Sequence, residues 1–278
     1  MKLSSRKITS EITLYYSNTE PDCDLVKNAG QIFDGSVEPF KTLTRHAVYY
    51  LNHNTTEYYA KKFFSTTLEQ KLSYLFRGSK ALRCLNISNQ LLLSNFKIIE
   101  TAFILNYHKN FRHESIWVTK KAKGINIKGF LNSDVDDSKK EEVLICLLST
   151  LGAFFKKGFF HHDPLLQNFI IDQNKRPCEI IFLDYDSISY WPWLSDKHVF
   201  YNLNKLNYSI YLTSQNNENL YSPKKVLFYL NIFLKSYNPK VNIDDAYKYL
   251  TQGTIKLLKR KKTTTSKVFL SKIVESNL

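Results

Sequence analysis

The segment His161-His162-Asp163-Pro164-Leu165-Leu166-Gln167-Asn168 sets a His-x-Asp ahead of an Asn five positions beyond the Asp. Further on, an apolar run ends in Leu183-Asp184-Tyr185-Asp186. These residue types at this spacing are what phosphoryl transfer requires. Asp163 would orient an attacking hydroxyl and accept its proton. Asn168 and Asp184 would hold magnesium on the nucleotide phosphates, spreading the charge that develops there. His161 is expected to brace the loop through hydrogen bonds rather than take part in the chemistry. Asp-Pro and Asn are also ordinary turn residues. The weight of the motif comes from its context, a long apolar helix before it and a strand–turn–strand after it.

The flanking sequence supplies those elements. Acidic residues from Asp134 onward open a helix over Glu141–Phe155, with negative charge at its N-terminus, and Gly158 ends it. Asn168–Asp172 and Cys178–Leu183 read as apolar strands around a turn at Gln173–Pro177, so that Asp184 comes off the end of a buried strand. Val199–Leu212, Lys224–Tyr237 and Asp244–Leu258 read as helices. Upstream, Ala47–Leu51 and Tyr58–Phe64 form a hairpin around His53–Thr56. Thr67–Leu75 is helical with Thr66 or Thr67 as cap, and Ser79–Ser94 has helical apolar spacing. Phe96–Tyr107 and Ser115–Lys120 are two more strands. The first forty residues are mixed, with turn signals at Pro21-Asp22, Gly30 and Gly35.

The remaining requirement is a cation on the nucleotide phosphates. Lys61 is chosen, because Tyr59, Lys61 and Phe63 share one strand face and Lys62 points the other way. No Gly-x-Gly-x-x-Gly precedes Lys61. A loop at Thr42–His46 would cover the phosphates with hydroxyls and Arg45 instead. There is no Walker A sequence, which excludes a P-loop NTPase.

A chain of 278 residues with 43% apolar content can bury a sizeable core. Its formal net charge of +14 implies acidic partners, whether nucleotide, nucleic acid or an anionic membrane surface. Nucleic acid ranks last, since no recognition module accompanies the charge. Four widely spaced cysteines form no Cys-x-x-Cys pair, arguing against a disulfide framework or a zinc site. The N-terminus lacks an apolar region behind its basic residues, and the longest apolar stretch, Val143–Phe155, is too short to span a bilayer. A soluble cytoplasmic protein is expected. The basic tail from Thr254 reads either as a membrane-surface segment or as a solvated helix.

The chain resembles the lipopolysaccharide kinases of the Kdo kinase and heptose kinase type, a branch of the protein-kinase-like fold. The resemblance runs from about Leu43 to about Leu212. It rests on Tyr-Tyr-Ala-Lys-Lys-Phe at 58–63, Phe-Arg-Gly-Ser-Lys-Ala-Leu-Arg at 76–83, the His161–Asn168 motif, Phe-Leu-Asp-Tyr-Asp-Ser-Ile at 182–188 and Asn-Leu-Asn-Lys-Leu-Asn-Tyr-Ser at 202–209. Asp186, where protein kinases have Gly, is similar to that family. The resemblance implies an α+β, bilobal protein-kinase-like fold with a small antiparallel β-sheet N-lobe (1–121) and a mostly helical C-lobe (122–278). It also implies ATP- and Mg2+-dependent phosphorylation of an inner-core sugar on a lipid-anchored acceptor, at the cytoplasmic face of the inner membrane. A monomer is expected. Family members often carry a Glu, in the helix after the Lys strand, that pairs with that Lys. The stretch Leu82-Arg83-Cys84-Leu85 has none, while Glu69 lies one helix earlier and Glu100 on the next strand. That departure keeps two other readings open, a protein or small-molecule kinase of the same fold and a pseudokinase-like binding protein.

Overall fold

A computed structural model describes residues 3–260, apart from residues 18, 66, 110–111, 173–177 and 216. The expected turn at 173–177, Thr66 as a cap and the tail beyond Arg260 lie outside the described residues. The chain divides into two compact units, Met1–Ala122 and Lys123–Leu278, each described by itself.

The first unit is built on strands β1 (Ser4–Lys7) and β2 (Ile12–Tyr16), helix α1 (Cys23–Gly30), strands β3 (Lys41–Thr42), β4 (His46–His53) and β5 (Thr56–Phe63), helices α2 (Leu68–Arg77) and α3 (Lys80–Leu93), and strands β6 (Thr101–Lys109) and β7 (Arg112–Lys120). The strands form a seven-stranded antiparallel sheet in the order β1-β2-β6-β7-β5-β4-β3. Alternation along β5 sends Tyr58, Ala60 and Lys62 into one face, where Leu25, Val26 and Ala29 of α1 and Ile32 just after it join Phe103, Leu105, Ile116 and Val118 in one buried cluster. The opposite face carries Tyr59, Lys61 and Phe63 and receives α3. The Ala81 amide donates to Ser115 Oγ at 3.3 Å, and Ser115 stands opposite Phe63 in register. α3 forms for reasons visible in its sequence. Ser79 caps it by accepting from the Leu82 amide (3.2 Å), and Ala81, Cys84, Leu85, Ser88 and Leu91 fall on one buried stripe.

The mixed reading of the first forty residues gives way to β1, β2 and α1. β1 is exposed along its whole length, so it has no apolar alternation to announce it. α1 is capped by Asp22, which accepts from the Asp24 amide at 2.8 Å. β6 begins at Thr101, later than the expected Phe96, and Glu100 lies just before it.

The second unit holds β8 (Ile125–Asn126), α4 (Ile127–Leu131), α5 (Asp137–Lys156), β9 (Phe159–His161), β10 (Phe169–Ile171), β11 (Ile180–Phe182), β12 (Ile188–Tyr190), α6 (Asp196–Ser214), α7 (Pro223–Tyr237) and α8 (Ile243–Arg260). Two small antiparallel sheets, β11-β10-β8 and β12-β9, carry the motif, and the helices supply the core. Leu144, Leu147, Leu151 and Phe154 of α5 are fully buried. Phe154 stacks on Phe182 at 4.6 Å, tying the long helix to β11. Each such aromatic burial contributes roughly 2–3 kcal/mol. α7 crosses α5 so closely at Gly152 that a Cβ there would lie 2.6 Å from the Phe233 carbonyl oxygen. Gly158, at φ +83°, turns the chain out of α5 into β9 as the sequence suggested.

Candidate active site

Strand register fixes where the second unit's motif residues emerge. β9 pairs antiparallel with β12, setting His161 opposite Ile188. β10 pairs with β11, setting Phe169 opposite Phe182. One residue beyond that pair, the Leu183 amide donates to the Asn168 carbonyl at 2.8 Å. Asn168 and Asp184 therefore leave the same end of one hairpin. The loop between β9 and β10 is closed from within. The Asp163 carbonyl accepts from the Leu165 amide (2.8 Å) and from Asn168 Nδ2 (2.8 Å), and the Leu165 carbonyl accepts from the Asn168 amide (2.8 Å). Ser209 of α6 anchors the loop from outside, its Oγ accepting from the Leu166 amide at 3.2 Å. The structure thus brings Asp163, Asn168 and Asp184 together on one hydrogen-bonded frame.

Asp184 sits at φ 56°, ψ 51°, in the left-handed region. It is the only non-glycine residue with positive φ among the described residues of this unit. The conformation costs about 1–2 kcal/mol and persists because Ser187 holds it. The Ser187 amide donates to the Asp184 carbonyl (2.8 Å), and Ser187 Oγ donates to Asp184 Oδ2 (2.6 Å). Asp186 lies in the same short turn, Tyr185–Ser187. The donor chemistry suits Mg2+, a hard cation that takes oxygen ligands and is often held by one or two protein groups besides phosphate and water. Asp184 supplies a carboxylate. The nitrogen of the Asn168 amide is committed to the Asp163 carbonyl, so its oxygen is the atom left for a cation. No cluster of three or more His, Cys, Asp or Glu side chains suited to a metal occurs among the described residues.

His161 is completely buried, and its Nδ1 accepts from the Asp163 amide at 3.2 Å, so it braces the start of the loop. Its Nε2 lacks a partner at hydrogen-bonding geometry, with the Leu183 backbone giving only partial compensation. Burial drives its pKa down to about 4 from an ordinary 6.5. The sign follows: between these values the unfolded chain binds the proton and the folded one refuses it. Stability from this group is complete above pH 6.5 and is lost as pH falls towards 4, about 3 kcal/mol in all. Chemical denaturation across that pH range should show the loss, and His161→Asn should flatten the profile.

Lys61 and Arg45 belong to the first unit. Lys61 is half-buried on the face that α3 covers, with Nζ 5.4 Å from the Phe63 ring centroid. Lys62 is 5% exposed on the opposite face. Its Nζ lies 3.2 Å from Glu114 Oε2 and donates to the Ile32 carbonyl at 2.9 Å. Arg112 completes the cluster with two bonds to the Glu114 carboxylate, at 2.9 and 3.0 Å. α3 contains no acidic residue. Glu100 bonds to Lys120 at 2.6 Å, and the Glu69 side chain is outside the described set. Arg45 is exposed in the tight turn joining β3 to β4, where the Leu43 amide donates to the His46 carbonyl at 2.9 Å. With Lys80 and Arg83, Arg45 lines a cavity of about 410 Å3 that also offers the Thr44, Ser65 and Ser73 hydroxyls. Arg83 bonds there to Ser73 Oγ and the Gly78 carbonyl, and desolvation lowers its pKa.

The two neighbouring lysines should separate experimentally. Lys62→Ala removes one of the two cations on the buried Glu114 carboxylate, which keeps its Arg112 bonds, and takes the donor from the Ile32 carbonyl, so it should lower unfolding free energy by about 2 kcal/mol. Lys61→Ala, at a half-buried position, should cost less stability than Lys62→Ala, read by urea unfolding of the two variants side by side.

Three groups that shape the site had no role assigned from the sequence: Ser187, Ser209 and Lys205. Lys205 Nζ donates to the His162 carbonyl at 2.6 Å, just before Asp163. All three lie inside the segments that carried the family resemblance, but spacing alone does not say which backbone groups they reach. No family model matches this chain, and no curated protein matches it.

Proposed function

We propose that the protein is an ATP- and Mg2+-dependent phosphotransferase that phosphorylates a sugar hydroxyl, Kdo or heptose, of the lipopolysaccharide inner core. One observation carries the reading. Asp163, Asn168 and Asp184 leave two paired strand ends on a frame closed by the Asn168–Asp163 and Leu183–Asn168 hydrogen bonds. In this role Asp163 orients the acceptor hydroxyl and takes up its proton. Asn168 and Asp184 would hold Mg2+, which supplies charge neutralisation on the phosphates. Lys61 and Arg45 would bind nucleotide phosphates. The sugar acceptor and a protein-kinase-like fold rest on the family resemblance. A peripheral position on the cytoplasmic face of the inner membrane belongs to the same proposal, and no helix among the described residues is long and apolar enough to cross a membrane.

Incubation with γ-labelled ATP and core glycolipid should place label on the glycolipid, and chelation of Mg2+ should abolish it. Label on protein alone would instead assign a protein kinase. The absence of any acid from α3 favours one alternative, a nucleotide-binding protein without transfer activity. Stabilisation by Mg-ATP in a thermal shift assay, with no label on any acceptor, would select it.

A further inference from the structure

In the second unit, α6 and α8 enclose a cavity of about 380 Å3. Tyr201 and Tyr249 form part of its wall, and their side chains remain 52% and 38% exposed. Asn204 and Gln252 add amides, and Lys256 and Arg260 add cations. No carboxylate occurs among the described residues lining it. Asn204 is 4% exposed, and its Oδ1 has no hydrogen-bond partner among the described residues. An unpaired buried amide oxygen costs on the order of 1–3 kcal/mol, which a packing role alone does not explain. Gly253 lets the Asn204 amide approach: a Cβ there would lie 1.9 Å from Nδ2.

The chemistry of this lining is specific. Exposed aromatic rings present apolar faces with polar tips, suited to the C–H faces of a sugar ring. Amides exchange hydrogen bonds with hydroxyl groups in both directions. Two cations with no carboxylate among the described lining residues favour an anion. The volume is at the small end for ligand pockets and suits one or two sugar rings rather than an extended polymer. One side chain links the cavity wall to the loop that carries Asp163: Lys205 Nζ lies 5.1 Å from the Tyr201 ring centroid and bonds to the carbonyl of His162, the residue before Asp163.

We infer that the α6–α8 cavity binds an acidic saccharide, a pyranose bearing a phosphate or carboxylate. Its assignment as part of the acceptor site rests on the phosphotransferase reading; the binding itself does not. The test therefore uses the full chain without nucleotide. Saturation-transfer NMR with glucose 6-phosphate and glucuronate should give signals on ring protons, and neutral glucose should give signals at least tenfold weaker. Tyr249→Ala and the double variant Lys256→Gln/Arg260→Gln, all at exposed positions, should each reduce affinity about tenfold while unfolding at the wild-type temperature. Whichever acid binds more tightly identifies the anionic group. Equal binding of glucose and glucose 6-phosphate would overturn the inference, as would binding unchanged in both variants. Inorganic phosphate binding as tightly as the sugar phosphate would reduce the site to a cationic patch. Loss of co-sedimentation with anionic vesicles in these variants, with no sugar binding, would replace it with a lipid-surface contact. Phosphotransfer measured separately on the glycolipid tests the activity, so the two can fail independently.

Discussion

On the phosphotransferase reading proposed above, Asp163→Asn should lower phosphotransfer by about a hundred- to ten-thousand-fold while leaving the fold intact. Asp163 serves the loop through its backbone carbonyl, which accepts from the Leu165 amide and Asn168 Nδ2. Asparagine keeps that carbonyl and nearly the same volume, and removes only the group that would accept a proton. The loss should fall on kcat, with nucleotide affinity by calorimetry and the thermal unfolding midpoint both retained. A variant within about threefold of wild type would take Asp163 out of the chemistry. The experiment separates a proton-accepting carboxylate from one that merely holds a turn.

The second large effect is on architecture. Gly124 enters β8 at φ +112°, and a Cβ there would meet the Ile171 carbonyl oxygen at 2.2 Å. Ile171 pairs with Ile125, so any side chain at 124 is forced into the strand-to-strand contact itself. Gly124→Val combines backbone strain with a clash that backbone atoms cannot relieve. It should destabilise the second unit by about 4 kcal/mol, read by urea unfolding. The damage should reach function, because β10 also pairs with β11 and that hairpin presents Asn168 and Asp184. Gly35→Ala is the control. Its φ is +84°, but a Cβ there meets nothing within 4 Å, so only conformational strain of about 1 kcal/mol applies.

The elements that could be read from the sequence are those whose burial is periodic or whose ends are chemically marked. α3 shows both, with a serine cap and a stripe from Ala81 to Leu91. β4 and β5 announce themselves by aromatic and β-branched residues around a polar turn, and Lys61 and Lys62 divide between faces as strand alternation requires. β1 carries no such mark, since none of its side chains is buried. β9 and β12 are three residues each, too short for a period, and their pairing depends on partners distant in sequence. In the site, residue types and spacing led to Asp163, Asn168 and Asp184. The left-handed backbone of Asp184 and the Ser187 hydroxyl that holds it are tertiary facts with no signature in spacing. The buried Glu114 between Lys62 and Arg112 is equally silent, because a charged residue on a strand normally reads as solvent-facing.

β1, one of the two border strands of the first unit's sheet, bears on how that border would meet another chain. β1 is four residues long, wholly exposed, and carries Arg6 and Lys7. A short, charged border gives another chain little to zip onto. β2, which it covers, pairs in turn with β6, whose central residues from Phe103 to Asn106 are buried. Removing the hairpin would leave the β2-facing hydrogen-bonding groups of β6 unmet beside its buried Phe103–Asn106 stretch, and would take Leu14 from the core. With the β1–β2 hairpin in place, this border of the sheet ends in a strand whose side chains are all exposed and partly charged.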